Sequence, residues 1–246
     1  MAGAGTDRGQ RRESNEDTFA LSSSEPPILV VADGLGGRLA GEIASRLATE
    51  QVLASLEQAP GLSTGSDGHL GQVLAASLQA AHAAVLAAAA RHPEWQGMAT
   101  ALVVACVLGD RLHTCHVGDV RAYLIRSGAA AQLTQDHSLA AEQARAGTLT
   151  PVQARVHHSR HRLSQALGVP PTVAPESHAA SLLSGDLVLL CSDGLWEAVA
   201  DEALARISGM SGTPLARVGR LVAAANQDGG RDNITAVLYE HQPEHR

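Results

Sequence analysis

Ile28-Leu-Val-Val-Ala32 is a continuous apolar run rich in β-favouring residues, and it runs directly into Asp33 and a glycine-rich turn, Gly34-Leu-Gly-Gly37. Such a run predicts a buried strand, and glycines after it allow positive φ or close approach of a ligand. Asp33 is therefore presented at the edge of a core. From Ala40 to Gln58 the apolar residues Ile43, Leu47, Val52, Leu53 and Leu56 recur at helical spacing and predict an amphipathic helix. A Gly/Ser/Thr-rich loop over Gly61 to Gly68 precedes an Ala-rich helix from Leu70 to Arg91, stopped by His92-Pro93. These two helices should lie as an antiparallel pair in one layer. The texture then turns to strands: Ala101 to Leu108, a hairpin turn at Gly109-Asp110, Arg111 to Val117, and, after the interruption at Gly118-Asp119, Arg121 to Arg126. That series predicts an antiparallel meander.

Further along, Ser138 to Ala146 and Thr150-Pro151 to His157 predict short helices, the second with Thr as N-cap and Pro at its first position. Leu187 to Ser192 predicts a strand, Trp196 to Ile207 a helix, and Thr213-Pro214 the cap of a helix running to about Asn226. Asp228-Gly-Gly-Arg231 is a turn before a last strand, Ile234 to Leu238, and Thr6 to Ser14 is a turn or short strand at the start. Strands in series with helix pairs between them indicate an antiparallel α+β layer fold. No repeat, linker or second domain interrupts residues 1–246, which are expected to form one domain.

With 246 residues, 45% of them apolar, the chain has ample material for a core, and at 2% aromatics Ala, Leu and Val must fill it. A formal net charge of -7 without a basic block argues against a nucleic-acid surface. Cys106, Cys115 and Cys191 are dispersed in apolar segments, so buried reduced thiols are expected rather than a disulfide framework, which favours the cytoplasm. No apolar run approaches the roughly 18 residues of a membrane span, and the Gly- and Arg-rich start has no apolar stretch, so neither spanning nor export is indicated.

Three further acidic signals sit where Asp33 does, at strand edges: Asn15-Glu16-Asp17, Ser192-Asp193-Gly194 and Asp232-Asn233. A single Asp-Gly is usually an ordinary turn, but several in such places are expected to gather around Asp33. Gathered carboxylates repel and raise one another's pKa, so the arrangement survives best around a cation. Oxygen ligands select Mg²⁺ or Mn²⁺ over zinc, and two such ions turn a bridging water into a hydroxide able to attack phosphorus. Arg12, close in sequence to Glu16, would clamp phosphate oxygens.

The ordered blocks Arg12-x-x-Asn-Glu-Asp17, Val31-Ala-Asp-Gly-Leu-Gly-Gly37, Val117-Gly-Asp-Val-Arg-Ala-Tyr-Leu124, Leu133-Thr-Gln-Asp-His-Ser138, Leu163-Ser-Gln-Ala-Leu-Gly168, Gly185-Asp-Leu-Val-Leu-Leu-Cys-Ser-Asp-Gly-Leu195 and Asp232-Asn-Ile-Thr235 span nearly the whole chain. Together they resemble the bacterial branch of the metal-dependent PP2C-type (PPM) protein serine/threonine phosphatases. The resemblance implies a four-layer α/β/β/α sandwich, two antiparallel sheets face to face with helix pairs outside, and a two-metal site at one end. It implies Asp33 as the carboxylate bridging two Mn²⁺ or Mg²⁺ ions, Gly34 (through its carbonyl) and Glu16 serving one ion, and Asp193 and Asp232 the other. It further implies Asp17 as a carboxylate that orients bound waters, Arg12 as the phosphate grip, and Asp119 with Asp193 as a third metal position. Residues from about 140 to 162 correspond to the family's flap, which influences substrate choice.

Departures from the family pattern accompany the matches. Leu35 stands where eukaryotic relatives carry a proton-donating histidine, so a metal-bound water must donate instead. Val120, Met98-Ala99-Thr100 and Ser164-Gln165 also differ from the usual residues, without removing a ligand. His113-x-Cys115-His116 has metal-like residue types, but only His113 and Cys115 share a strand face and structural zinc wants four ligands, so no zinc site is read there. The basic cluster His157 to Arg162 is either a steering patch for phosphorylated substrates or a solvated surface. Trp196 is read as a packing residue and Arg11 as a surface charge.

The expectation is a cytoplasmic phosphatase that acts on phosphoserine and phosphothreonine by direct attack of hydroxide, without a phosphoenzyme, Arg12 and Asp33 carrying turnover. Its partners would be phosphorylated proteins and an opposing Ser/Thr kinase, with no nucleic acid or membrane, and it would act as a monomer. A phosphatase of small phosphate esters and a catalytically silent phosphoprotein-binding adaptor are the alternatives.

Overall fold

In the computed structural model, residues 1–22, 25–36 and 40–242 are described. Gly37 of the glycine-rich turn lies outside them. The strands are β1 (Ala2–Asp7), β2 (Thr18–Leu21), β3 (Ile28–Leu35), β4 (Ala99–Leu108), β5 (Arg111–Val117), β6 (Arg121–Arg126), β7 (Ala129–Gln132), β8 (Glu176–Ser181), β9 (Leu187–Cys191) and β10 (Ile234–Glu240). The helices are α1 (Ala40–Glu57), α2 (Asp67–Arg91), α3 (Leu139–Arg145), α4 (Pro151–Val156), α5 (Asp193–Trp196), α6 (Asp201–Ser208) and α7 (Pro214–Gln227). One antiparallel sheet has the order β1-β10-β9-β6-β7 and the other β2-β3-β4-β5-β8.

The period of two along the central strands builds the layers. In β3, Ile28, Val30 and Ala32 join the core under α1 and α2, while Leu29 and Val31 join the core between the sheets. In β9 the same alternation sends Leu187, Leu189 and Cys191 towards α6 and α7, and Val188 and Leu190 to the inter-sheet core. Three apolar layers therefore separate helices, sheet, sheet and helices, which is the α/β/β/α sandwich. All three cysteines are buried and free.

Two expectations are corrected. The meander does not run on through Arg121–Arg126: β4 and β5 form a hairpin, but β6 pairs with β7 and β9 in the other sheet. Gly118, at φ 103° and with Ala101 where a side chain would stand, ends one ladder and lets the chain cross between sheets. The crossing carries Asp119. The helix expected from Trp196 to Ile207 is broken into α5 and α6, with Ala200 extended (ψ 152°) between them. Trp196, Val199 and Leu204 are buried in the same core on the two sides of the break.

Helix α2 is long and apolar enough to cross a membrane by length and composition alone, because alanines raise its apolar content although polar residues interrupt it. Its Leu70, Leu74, Leu78, Ala81 and Val85 instead pack into the core against the sheet. Strands β7 and β8 lie outside the strands the sequence predicts, and β1 at Ala2–Asp7 mostly precedes the turn or short strand expected over Thr6 to Ser14. Leu102 is fully buried at the centre of β4. Its replacement in Leu102→Ala should cost about 2–5 kcal/mol, read as a lower urea midpoint at unchanged slope.

Candidate metal and phosphate site

Asp33 stands near the end of β3, opposite Ala101 of β4, and its carbonyl accepts the Thr100 hydroxyl at 2.7 Å. Asp193 opens α5 directly after β9, Asp232 precedes β10, Asp119 lies in the inter-sheet crossing, and Asp17 leads into β2. All five meet at one end of the sandwich. Burial pushes Asp33 well above the usual carboxylate range, and the charges of Asp17, Asp193, Asp119 and Asp232 push in the same direction. Asp193 is likewise held well above it, by burial and then by Asp119, Asp232 and Asp17. Burial, with Asp136 adding to it, raises Asp119 to about 7.

Asp17 is pushed up to about 6 by burial, against the lowering effect of the Thr235 and Ser192 hydroxyls. Ser192 Oγ donates to Asp17 Oδ2 at 2.7 Å, whereas Asp17 Oδ1 is buried without a partner of hydrogen-bond geometry. Burial also raises Glu16. Its backbone is fixed from two sides, the carbonyl accepting the Ser45 hydroxyl at 2.6 Å and Gly34 N–H at 3.2 Å. Gly34 must be glycine because a Cβ there would strike the Glu16 and Gly41 carbonyls. Gly194 is constrained similarly, against the carbonyl of Asn233.

Arg12 donates from Nη2 to Asp232 Oδ2 at 2.6 Å, with its side chain about half exposed, while Asp232 Oδ1 accepts the Asn233 N–H at 2.8 Å. The predicted residues are thus brought together: five carboxylates, a guanidinium at their rim, and the Glu16 and Gly34 backbones in contact. The donor set consists of oxygens, and a buried carboxylate oxygen without a partner lies among like charges. That chemistry fits hard divalent cations.

Sequence reasoning missed two supports of the site. Trp196, read as packing, also donates its indole N–H to the Asp119 carbonyl at 3.0 Å, and the Arg121 guanidinium lies 3.5 Å from its ring centroid. Arg121 in turn forms a bidentate pair with Asp136 at 2.7 and 2.9 Å. Gln165, a departure from the family pattern, accepts the Ala174 N–H at 2.8 Å and so has a local structural task.

A cleft of about 940 Å³ opens from Asp232 and Gly194 and runs between α5–α6 and the excursion formed by α3, α4 and residues 157–162. Arg160 and His161 of the basic cluster face Glu197 across it at 3.5 and 3.3 Å, and Arg155 faces Asp201 at 3.8 Å. Elsewhere, His116, His137 and Glu176 place ligand-type atoms within 4.8 Å of one another. Gly118 N–H donates to His137 Nδ1 at 3.2 Å, which leaves the imidazole proton on Nε2, 3.2 Å from Glu176 Oε1. His116 Nε2 lies 2.8 Å from the Gln135 carbonyl and needs a proton there. His137 thus accepts from Gly118 and His116 donates to Gln135, tying both rings to the chain on either side of β6 and β7, while His137 Nε2 is buried without a partner of hydrogen-bond geometry.

A family model described as protein phosphatase 2C matches residues 4–238. A serine/threonine phosphatase, stp, of Listeria innocua is 32% identical over 237 residues, covering 96% of this chain and 93% of that protein. The crystal structure of the Mycobacterium tuberculosis serine/threonine phosphatase PstP/Ppp superposes with a TM-score of 0.85 at 34% identity, covering 98% of this chain and 99% of that one. The PstP catalytic domain in complex with two manganese ions gives 0.83 at 32% identity, over 98% and 97% of the two chains. With a family model matched over residues 4–238 and a fold and sequence that agree over nearly the whole chain, the chain belongs to the protein phosphatase 2C family.

Proposed function

We propose that the protein is a metal-dependent phosphatase of phosphoserine and phosphothreonine in proteins. The observation that carries this reading is the convergence of Asp17, Asp33, Asp119, Asp193 and Asp232 from five separate parts of the chain, with Arg12 at their rim. Asp33 would bridge two Mn²⁺ or Mg²⁺ ions, the Gly34 carbonyl and Glu16 serving one, and Asp193 and Asp232 the other. Asp119 with Asp193 would hold a third. Such ions, when bound, lower the pKa of water and neutralise phosphate charge.

The chain's own groups supply the rest. Arg12 presents a planar fork of donors that matches phosphate oxygens bidentately. Asp17, held by Ser192, orients water within the cluster. Leu35 offers no proton to the departing alkoxide, so that proton comes from water. No cysteine competes as nucleophile, since burial pushes Cys106 up to about 12, Cys115 to about 11 and Cys191 higher still. This supports direct hydrolysis without a phosphoenzyme. The cleft under residues 140–162, the flap, gives a phosphoprotein room beside the phosphate. One domain acting as a cytoplasmic monomer against a Ser/Thr kinase completes the reading.

In a Mn²⁺-dependent assay on an aryl phosphate and a phosphopeptide, Asp193→Ala should lose turnover by about 10²-fold or more. Arg12→Ala should mainly raise KM, by about tenfold, for one lost charge-assisted contact. Preference for the phosphopeptide over sugar phosphates supports the protein substrate. Hydrolysis of neither substrate by the wild type, or full activity of Asp193→Ala, would refute the reading.

The cluster also sets a pH dependence. A carboxyl whose pKa is raised on folding stabilises the fold below its unfolded pKa and loses that contribution as pH rises through the folded value. For Asp17 the window runs from 3.8 to about 6, and for Asp119 from 3.8 to about 7. The metal-stripped protein should therefore melt at progressively lower temperature as pH rises from about 4 to about 7. Added Mn²⁺ should raise the melting temperature more at pH 7.5 than at pH 5, checked by scanning calorimetry with and without chelator.

A further inference from the structure

Residues 8–17, which carry both Arg12 and Glu16, contain no helix or strand. Nothing in a ladder fixes them, yet a phosphate grip needs its guanidinium held to well under an ångström of its working position. One edge of the loop is tied by the Gly230 carbonyl, which accepts Gln10 N–H at 2.7 Å and Arg11 N–H at 3.2 Å. At the opposite edge Asn15 Nδ2 donates to Thr6 Oγ1 at 2.8 Å and the Glu16 carbonyl accepts the Ser45 hydroxyl and Gly34 N–H, but one side chain alone bridges the two arms of the loop. Asn233, buried to 5% exposure, donates both Nδ2 hydrogens, to the Arg8 carbonyl at 2.9 Å and the Ser14 carbonyl at 2.9 Å, and accepts Glu16 N–H on Oδ1 at 2.9 Å.

Asn233 thereby closes the loop at its base, Arg8 to Ser14, leaving Arg12 near the tip. Its backbone serves the same site, donating N–H to Asp232 Oδ1 at 2.8 Å and presenting its carbonyl against Gly194, next to Asp193. Only an amide of this length offers two donors and one acceptor in one plane. Aspartate would set an anion against two carbonyl oxygens, and leucine would leave three backbone groups unpaired.

We propose that Asn233 is a positioning residue for catalysis: it sets the placement of Arg12 and Glu16 relative to Asp232, so that phosphate grip and metal ligands share one frame. This rests on the phosphatase reading given above. The discriminating variant is Asn233→Asp, which keeps the acceptor for Glu16 N–H and the size but loses both donors. Asn233→Ser, shorter and uncharged, is the second variant should the first fail to fold.

Loss of two hydrogen bonds should raise KM for an aryl phosphate by about tenfold while kcat falls by less than about threefold. In the Arg12→Ala background the same change should add less than about twofold to KM, because Asn233 acts through Arg12. Independently of activity, hydrogen exchange of the peptide covering residues 8–16 should speed by about tenfold, with the core strands over 28–32 and 101–107 unchanged. Unchanged KM and unchanged exchange over 8–16 would overturn the proposal, as would a KM increase of equal size in the Arg12→Ala background. If the wild type hydrolyses no phosphate ester, the phosphatase reading falls, and the exchange measurement alone still decides whether Asn233 frames the loop.

Discussion

Carboxylates that are buried together oppose folding twice, once because each leaves water and again because each repels the others. Asp33 and Asp193 feel both effects, and both are held far from the range of a solvated acid. A sequence can keep such a group only if the rest of the structure over-determines its position. Here the two sheets do so. Asp33 and Asp193 are placed at or just beyond the ends of central strands whose residues alternate into apolar layers on both faces. A register slip of one residue would turn those layers inside out, so the core that stabilises the fold also fixes the acids.

The same economy governs the approach to the cluster. Gly34 and Gly194 let backbone pass backbone where a methyl would collide, bringing Glu16 beside Asp33 and Asp232 beside Asp193. Gly118 turns the chain between sheets and delivers Asp119, whose carbonyl Trp196 holds. The site is thus assembled from strand ends and the tight turns next to them, with the cleft under α3 and α4 added at its margin.

Much of this was legible in the sequence because strand ends announce themselves. Apolar runs such as Leu187–Cys191 bury on both faces, and the acid that follows has to emerge at an edge. The edge strands β7 and β8 were not legible, since Ala129–Gln132 and Glu176–Ser181 are mostly exposed and carry no apolar alternation. Sheet membership was hidden too: nothing local tells Arg121–Arg126 that its neighbours are β7 and β9. The break near Ala200 carries no glycine or proline to announce it. For the site, residue types revealed the acids and Arg12, whereas the roles of Trp196 and Asn233 depend on partners more than seventy residues away in the chain.

The central claim is that these oxygens cage a pair of divalent cations. Anomalous diffraction from a crystal soaked in Mn²⁺ tests it without reference to any substrate. The account predicts two manganese peaks within about 4 Å of each other. Both would contact the Asp33 carboxylate, one would also contact the Gly34 carbonyl, and the other Asp193 and Asp232. Manganese absent from Asp33, or found only at His116, His137 and Glu176, would contradict it.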